Sequence, residues 1–263
     1  MGKSDIEWTD NTWNPISGCT PCSPGCQNCY ARALINRYKG RKGWPESPDD
    51  ITFFPERLEQ PKHWKEPKRI FVCSMSDFFH PKVKLSWQVE IIHVMMQCPQ
   101  HTFMILTKRE DQLDMYNHVC GFFDLPNRWL GVTVENQEYA NIRIPALLKC
   151  DVQTKFVSVE PMLGPIDLTH IIDEENQLMI DSLHGKFGTG SDPGLVYPHL
   201  DWVICGAETG SKARPMNPDW ARALRDQCVE ADIPFFLKKL SDGTRELDGQ
   251  MWEQYPREAK EGE

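Results

Sequence analysis

The stretch Arg128-Trp-Leu-Gly-Val-Thr-Val-Glu-Asn136 carries the pattern that decides the fold. From Arg128 to Val134 it is almost unbroken apolar sequence, and a carboxylate and an amide follow at once. Strands buried on both faces of a parallel sheet read this way, whereas a half-exposed antiparallel strand alternates apolar with polar residues. The same reading holds for Arg69-Ile-Phe-Val-Cys-Ser74, Thr102-Phe-Met-Ile-Leu-Thr107, Lys155-Phe-Val-Ser-Val159, Asp201-Trp-Val-Ile-Cys205 and Ile233-Pro-Phe-Phe-Leu237. Between these runs the pattern predicts helices over Ser86–Gln97, Glu110–Tyr116, Glu138–Leu148 and Pro218–Ala231. The last has Asn217 as a cap and Pro218 at the first helical position. Such alternation without a long linker predicts one α/β domain over residues 1–240, either an open sheet or a full or partial barrel. Residues 172–199 read as a loop insertion with room for one short helix, and Gly188-Thr-Gly190 is too little for a phosphate loop. Residues 241–263 read as a polar tail with frayed last residues.

The strand ends favour the barrel. Ser74-Met-Ser-Asp77, Thr107-Lys-Arg109, Thr133-Val-Glu-Asn136, Ser158-Val-Glu-Pro161, Gly206-Ala-Glu-Thr-Gly210 and Lys238-Lys239 follow the apolar runs in turn. One charged residue past a strand is normally a solvated loop residue. Strand after strand ending this way points to a shared polar cavity at the carboxyl face, where barrel enzymes build their sites.

Composition excludes several classes. The chain has 263 residues, 40% of them hydrophobic and 25% charged, with 29 Lys+Arg against 38 Asp+Glu and a formal charge of −9. Chains of this length bury about 70–75% of their unfolded surface, so the bulk is not disordered. No run approaches the roughly 20 apolar residues of a membrane span. Asp5, Glu7, Asp10 and Pro15 break any secretory signal, and Ile6 stands where a myristoylation signal wants Ser or Thr. The expectation is a cytoplasmic protein without membrane association.

Ten cysteines in a reducing cytoplasm do not suggest a disulfide framework, so clustered ones point to metal or redox chemistry. Cys73, Cys98, Cys120, Cys150, Cys205 and Cys228 are scattered among apolar or helical surroundings and read as core residues. The others stand together in Gly18-Cys-Thr-Pro-Cys-Ser-Pro-Gly-Cys-Gln-Asn-Cys-Tyr30, as C-x2-C-x3-C-x2-C. Prolines and a glycine between them prevent a regular helix and let a tight loop turn its sulfurs inward. Close thiolates suit a soft metal or an iron–sulfur cluster. Zinc ribbons pair their C-x2-C hairpins across about 15–20 residues, so one compact loop more naturally wraps a cubane, with a structural zinc knuckle as the alternative.

Cys22-x3-Cys26-x2-Cys29 followed by Tyr30 resembles the signature loop of radical S-adenosylmethionine (SAM) enzymes. The resemblance implies a (β/α) TIM-type barrel, full or partial, whose cluster loop follows the first strand. It also implies a [4Fe–4S] cluster on three cysteines, with the fourth iron open to the amino and carboxylate groups of SAM. Ile6-Glu-Trp-Thr-Asp-Asn-Thr-Trp-Asn-Pro15, Gly18-Cys19, Ser23-Pro-Gly-Cys-Gln-Asn-Cys-Tyr-Ala31, Leu106-Thr-Lys-Arg109, Trp129–Asn136, Phe156–Pro161 and Ala213-Arg-Pro-Met216 are similar to a narrower phage and bacterial three-Cys-motif family. That family is radical-SAM-like, and some phage relatives are associated with hypermodification of thymine in phage DNA. Its C-x6-C-x2-C spacing selects Cys19, Cys26 and Cys29; the superfamily spacing selects Cys22 in place of Cys19. Four ligands would leave no open iron.

By this analogy Ser74, Ser76 and Asp77 receive the SAM ammonium group. Glu135 and Asn136 bind ribose hydroxyls, Ser158 and Glu160 come next, and Gly206 admits the adenine. Lys108, Arg109, Glu208, Arg214, Lys238 and Lys239 remain for substrate. The implied activity generates a 5′-deoxyadenosyl radical that modifies or isomerises a thymine-derived base or nucleotide, with an electron donor such as flavodoxin or ferredoxin, in a bacterial or phage-infected cytoplasm. The alternatives are a radical enzyme acting on a protein or small metabolite, and a non-catalytic zinc- or cluster-stabilised binding module. A charge of −9 opposes tight nonspecific duplex binding, yet Arg37-Tyr-Lys-Gly-Arg-Lys42 and Lys62-His-Trp-Lys-Glu-Pro-Lys-Arg69 are basic. Trp8, Trp13 and Trp44 read as packing residues.

Overall fold

The computed structural model describes residues 6–113, 126–188 and 198–256. Its centre is a seven-stranded sheet of β1 (Asn11–Trp13), β4 (Arg69–Val72), β5 (Thr102–Thr107), β6 (Arg128–Thr133), β7 (Thr154–Val159), β11 (Trp202–Cys205) and β12 (Phe235–Leu237). The strands stand in that order and every neighbouring pair is parallel. Sequential order means each crossover steps the same way, and crossovers of one hand deliver their helices to one face. The core shows this. Ile91, Val94 and Met95 of helix Leu85–Met96, Ala140, Ile144 and Leu147 of Gln137–Leu148, and Ala221, Leu224 and Cys228 of Pro218–Glu230 share one cluster with Val72, Ile105, Val132, Val157, Val203 and Leu237.

Residues of the opposite strand parity form a second cluster: Phe71, Met104, Trp129, Phe156, Trp202, Ile204 and Phe236, joined by Trp8. On a flat sheet β4 and β7 lie three spacings, about 14 Å, apart. Here Phe71 of β4 and Phe156 of β7 both reach Trp8, at ring distances of 4.9 and 6.4 Å, and Trp202 of β11 reaches it at 6.2 Å. The sheet therefore curls around that indole as a half-barrel with an aromatic plug. Gly131 makes room for the plug, since a Cβ there would lie 2.6 Å from the Phe156 ring.

Most expected strands and helices occur within a residue or two of their expected ends. Asn217 caps its helix by accepting from the Asp219 amide. Of the helix expected over Glu110–Tyr116, residues 110–113 are described and helical; the rest lies outside the described residues, as does Cys120. The remaining scattered cysteines are buried, Cys73, Cys98, Cys205 and Cys228 as free thiols and Cys150 with its Sγ donating to Ala146 O. β1 joins the sheet before the cysteine loop, and β2 (Ile16–Ser17) pairs with β3 (Thr52–Phe53) alongside.

Two expectations change. The described part of the 172–199 insertion is an antiparallel meander of β8 (Ile171–Asp173), β9 (Leu178–Asp181) and β10 (Lys186–Phe187), with no helix. Asp173 makes the first turn, its carboxylate accepting from the Asn176 amide and side chain. Gly188 ends the described stretch, and Thr189 and Gly190 lie beyond it. Of the expected polar tail, residues 241–256 are folded onto the sheet. β13 (Glu246–Leu247) and β14 (Gln250–Met251) form a hairpin, the Leu237 amide donates to Trp252 O at 2.8 Å, and Tyr255 packs on Trp202 at 5.3 Å. This segment covers the β12 edge and the open end of the plug, a standard protection for an unpaired strand. Residues 257–263 fall outside the described ones. Among the described residues no helix is long and apolar enough to cross a membrane.

Candidate functional site

The cysteine loop lies across the carboxyl ends of the strands, because successive strand tops each hold a piece of it. After β4, Met75 O accepts from the Gly18 amide at 3.0 Å, Ser76 Oγ donates to Gly18 O at 2.6 Å, and Ser74 O accepts from the Tyr30 hydroxyl at 2.7 Å. Gly18 has φ +96, and a Cβ there would strike the Asp50 carbonyl at 2.0 Å, so only glycine suits this entry turn. After β5, Arg109 Nη2 donates to Thr20 O at 2.7 Å and to its hydroxyl at 3.1 Å; His80 Nε2 meets that hydroxyl at 2.8 Å. After β6, Glu135 accepts from Ser23 Oγ at 2.5 Å. After β11, Glu208 takes Arg214 in a bidentate pair and accepts from Asn28 Nδ2 at 3.0 Å, while Arg214 Nη2 donates to Pro24 O at 3.0 Å. The loop is a lid pinned on four sides.

All four loop thiols are free and partly exposed. Cys22 Sγ lies 3.6 Å from Lys108 O, and Ser23 Oγ lies 3.7 Å from Cys26 Sγ. The hydrogen bond between Cys22 and Cys26 is the leading influence on both: it raises the Cys22 thiol and helps bring Cys26 down to about 4, with the Lys108 cation acting in the same direction on Cys26. Burial first, and Asp77 next, push Cys19 up to about 12. The contact between Cys22 and Cys26 thus favours the thiolate at Cys26 over that at Cys22. Among the described residues no three of His, Cys, Asp and Glu stand close enough together to hold a metal ion.

A second polar group lies deeper, on the parity that carries the plug. Glu160 continues the β7 row above Phe156 and Ser158. Lys238 Nζ approaches its Oε1 at 2.9 Å, while Trp8 Nε1 and Ser158 Oγ donate to Oε2 at 3.1 and 3.2 Å. Burial alone would lower the Lys238 ammonium; Glu160, with Glu7, overcomes this and raises it, so it stays charged. Gly206 faces this pair, and a Cβ there would lie 2.7 Å from Glu160 Oε1.

Most of the expected site residues therefore fall into two groups. Ser74, Ser76, Arg109, Glu135, Glu208 and Arg214 hold the loop, whereas Ser158, Glu160, Gly206 and Lys238 line the interior beneath it. Asp77 accepts from Thr107 Oγ1, the Lys108 amide and the Phe79 amide at 2.8–3.0 Å, so it braces the loop after β5. Asn136 caps helix Gln137–Leu148 by accepting from the Tyr139 amide. Lys108 meets the loop through its carbonyl; Lys239 is joined to Ala207 by its backbone. Trp8, Thr20, Ser23, Asn28, His80 and Arg143 belong to the site although sequence reasoning gave them no role in it. Arg143 had a readable signal: a cation at a position of the helix whose neighbours Ala140, Ile144 and Leu147 form the buried stripe. Trp8 and Trp13 are buried, and Trp44 packs on Tyr38 at 4.8 Å. Arg37 and Arg41 flank the Tyr38 ring at 5.6 and 5.0 Å. A cleft of about 740 Å³ is lined by Glu110, Asn141 and Lys149 and one of about 1340 Å³ by Arg69, Thr102 and Asp201; no loop cysteine lines either.

A family model described as "Protein of unknown function (DUF5131)" matches residues 3–256. No curated protein and no solved structure matches the chain.

Proposed function

The chain belongs to that family of unknown function, and we propose that it is a radical SAM enzyme on a partial (β/α) barrel of the TIM type. The observation that carries this reading is the seating of a four-cysteine loop across the carboxyl mouth of a singly wound parallel half-barrel. The donor set fits a [4Fe–4S] cluster. Its thiols are free, the contact with Cys22 lowers that of Cys26, and Lys108 and Arg109 stand beside them to offset thiolate charge. A cubane places each thiolate on a different iron, so its ligands spread wider than the about 3.8 Å edge of a zinc tetrahedron with bonds of about 2.3 Å. Cys26 and Cys29 would be ligands with either Cys19 or Cys22. Bound there with SAM, such a cluster supplies a 5′-deoxyadenosyl radical able to take hydrogen from an unactivated carbon.

The chain's own residues position the reactants. Ser158 and Glu160 offer hydroxyl and carboxylate acceptors beneath the loop, Gly206 removes a side chain from the opposite wall, and charged Lys238 orients Glu160. The substrate we favour, on resemblance, is a thymine-derived base of phage DNA, with Arg37, Lys39, Arg41 and Lys42 meeting its phosphates. A flavodoxin- or ferredoxin-like donor in the cytoplasm of a bacterium would supply the electron.

The test is anaerobic incubation of reconstituted protein with dithionite and SAM. 5′-Deoxyadenosine and methionine should form, and Cys26→Ala should abolish both. Nucleosides digested from hypermodified phage DNA treated in the same way should contain an altered thymidine. If a peptide or metabolite stimulates cofactor cleavage and DNA does not, the substrate assignment is wrong. If the protein holds zinc and leaves SAM intact, it is a binding module.

A further inference from the structure

Buried charges need close partners, and the carboxylate of Glu135 is the most enclosed in the site. Its residue exposure is 0%. Oε2 accepts from Arg143 Nη1 at 2.9 Å, and Oε1 accepts from Ser23 Oγ at 2.5 Å. Arg143, 1% exposed, is held in turn by Thr133 O at 2.7 Å, by Glu110 Oε2 at 3.1 Å and over the Tyr139 ring at 4.4 Å. One side of the carboxylate thus faces a fixed guanidinium, and the other faces the cysteine loop.

The loop backbone presses directly on this carboxylate. A Cβ added to Gly25 would lie 2.4 Å from Glu135 Oε1 and 2.7 Å from its Cγ. No ribose fits between two groups already that close. Ser23, which donates to Glu135, sits between Cys22 and Cys26 and also lies 3.7 Å from Cys26 Sγ. It precedes the short 3-10 turn Pro24–Cys26, whose closing amides at Cys26 and Gln27 bond to Ser23 O and Pro24 O. A shift of the carboxylate therefore moves the turn that presents Cys22 and Cys26.

We infer that the Glu135–Arg143 pair is the seat of the cysteine loop, and that Glu135 is a positioning residue for the loop thiols rather than a ligand of ribose. The seat acts through Ser23 and Gly25 and places the thiols whatever the loop binds. It rests on the loop geometry and not on the radical reading, so the two can fail separately.

Hydrogen–deuterium exchange on the full, metal-free chain tests this. The amides of Cys26, Gln27 and Cys29, each bonded within the loop, report the seat; amides of β6 and β7 report the sheet. Glu135→Gln and Ser23→Ala should speed exchange of the loop amides by about tenfold or more while strand amides keep their protection. Ser23→Thr, which retains the hydroxyl, should restore the slow rates. Gly25→Ala should behave like Ser23→Ala. If Glu135→Gln fails to fold, the Ser23 series at its half-exposed position still decides. Unchanged loop exchange in Ser23→Ala and Gly25→Ala would overturn the seat, as would equal loosening of loop and sheet. So would a Glu135→Gln protein with wild-type loop exchange that has lost only SAM binding. Iron content, measured apart on the same variants, reports the radical reading alone.

Discussion

At Glu208 a single carboxylate shows how this site is held. Burial alone would raise it, but the hydrogen bonds from Arg214 and Asn28 win and bring it down to about 2, from an ordinary value of 4.5. A depressed carboxylate contributes stability that is present above its unfolded value and is lost as pH falls through the folded one. Glu208→Gln should therefore unfold more easily than the parent at pH 7. In urea titrations at a series of pH values that gap should close between about pH 4.5 and pH 2; a gap constant across the range would mean that Arg214 does not clamp Glu208. The thiols give a second comparison. If Cys19 is a ligand, Cys19→Ala should lose reconstituted iron and Cys22→Ala should keep most of it. Loss with Cys22→Ala alone moves the role to the other spacing, and equal loss with both would point to four ligands. At this scale the sequence was legible for the cysteines, whose spacing is local. The pairing of Ser23, Glu135 and Arg143 was not legible, because it spans positions 112 and 8 residues apart and exists only once the loop lies on the sheet.

Among the elements, strands were the most legible, since burial on both faces leaves continuous apolar runs such as Thr102–Thr107. Asn11–Trp13 was not, because its Asn-Thr-Trp is short, polar and at the sheet edge. The 171–187 meander was hidden by the same cause: its strands are short and partly exposed, so Glu174–Gln177 and the glycines read as loop. The inner row of each strand, with aromatic residues low and polar ones high, emerges only when parity is compared across strands. Gly131 belongs to that row. Gly131→Ala should drive a methyl into the Phe156 ring and cost about 1–3 kcal/mol, the usual range for an overpacked core. Chemical denaturation of the variant measures this; a cost near zero would mean that the plug is loose.

For the whole molecule, the half-barrel needs closure that its own strands do not provide. The chain after Ser241 supplies part of it, placing Leu247 in the core, Trp252 against Phe235 and Tyr255 against Trp202 and Phe236. Truncation after Ser241 should cost on the order of 3–5 kcal/mol, since a fully buried side chain contributes about 1.5–3 kcal/mol and two of these three are only partly buried. A urea midpoint equal to that of the full chain would make the segment dispensable. With the lower end closed in this way, the carboxyl mouth under the cysteine loop is the place where chemistry is proposed. Electron paramagnetic resonance of anaerobically reconstituted, reduced protein, with and without SAM, tests that directly. Roughly four irons per chain, the content of one cubane, and a signal that changes when SAM is added are expected. Stoichiometric zinc in colourless protein, or a cluster signal indifferent to SAM, would contradict it.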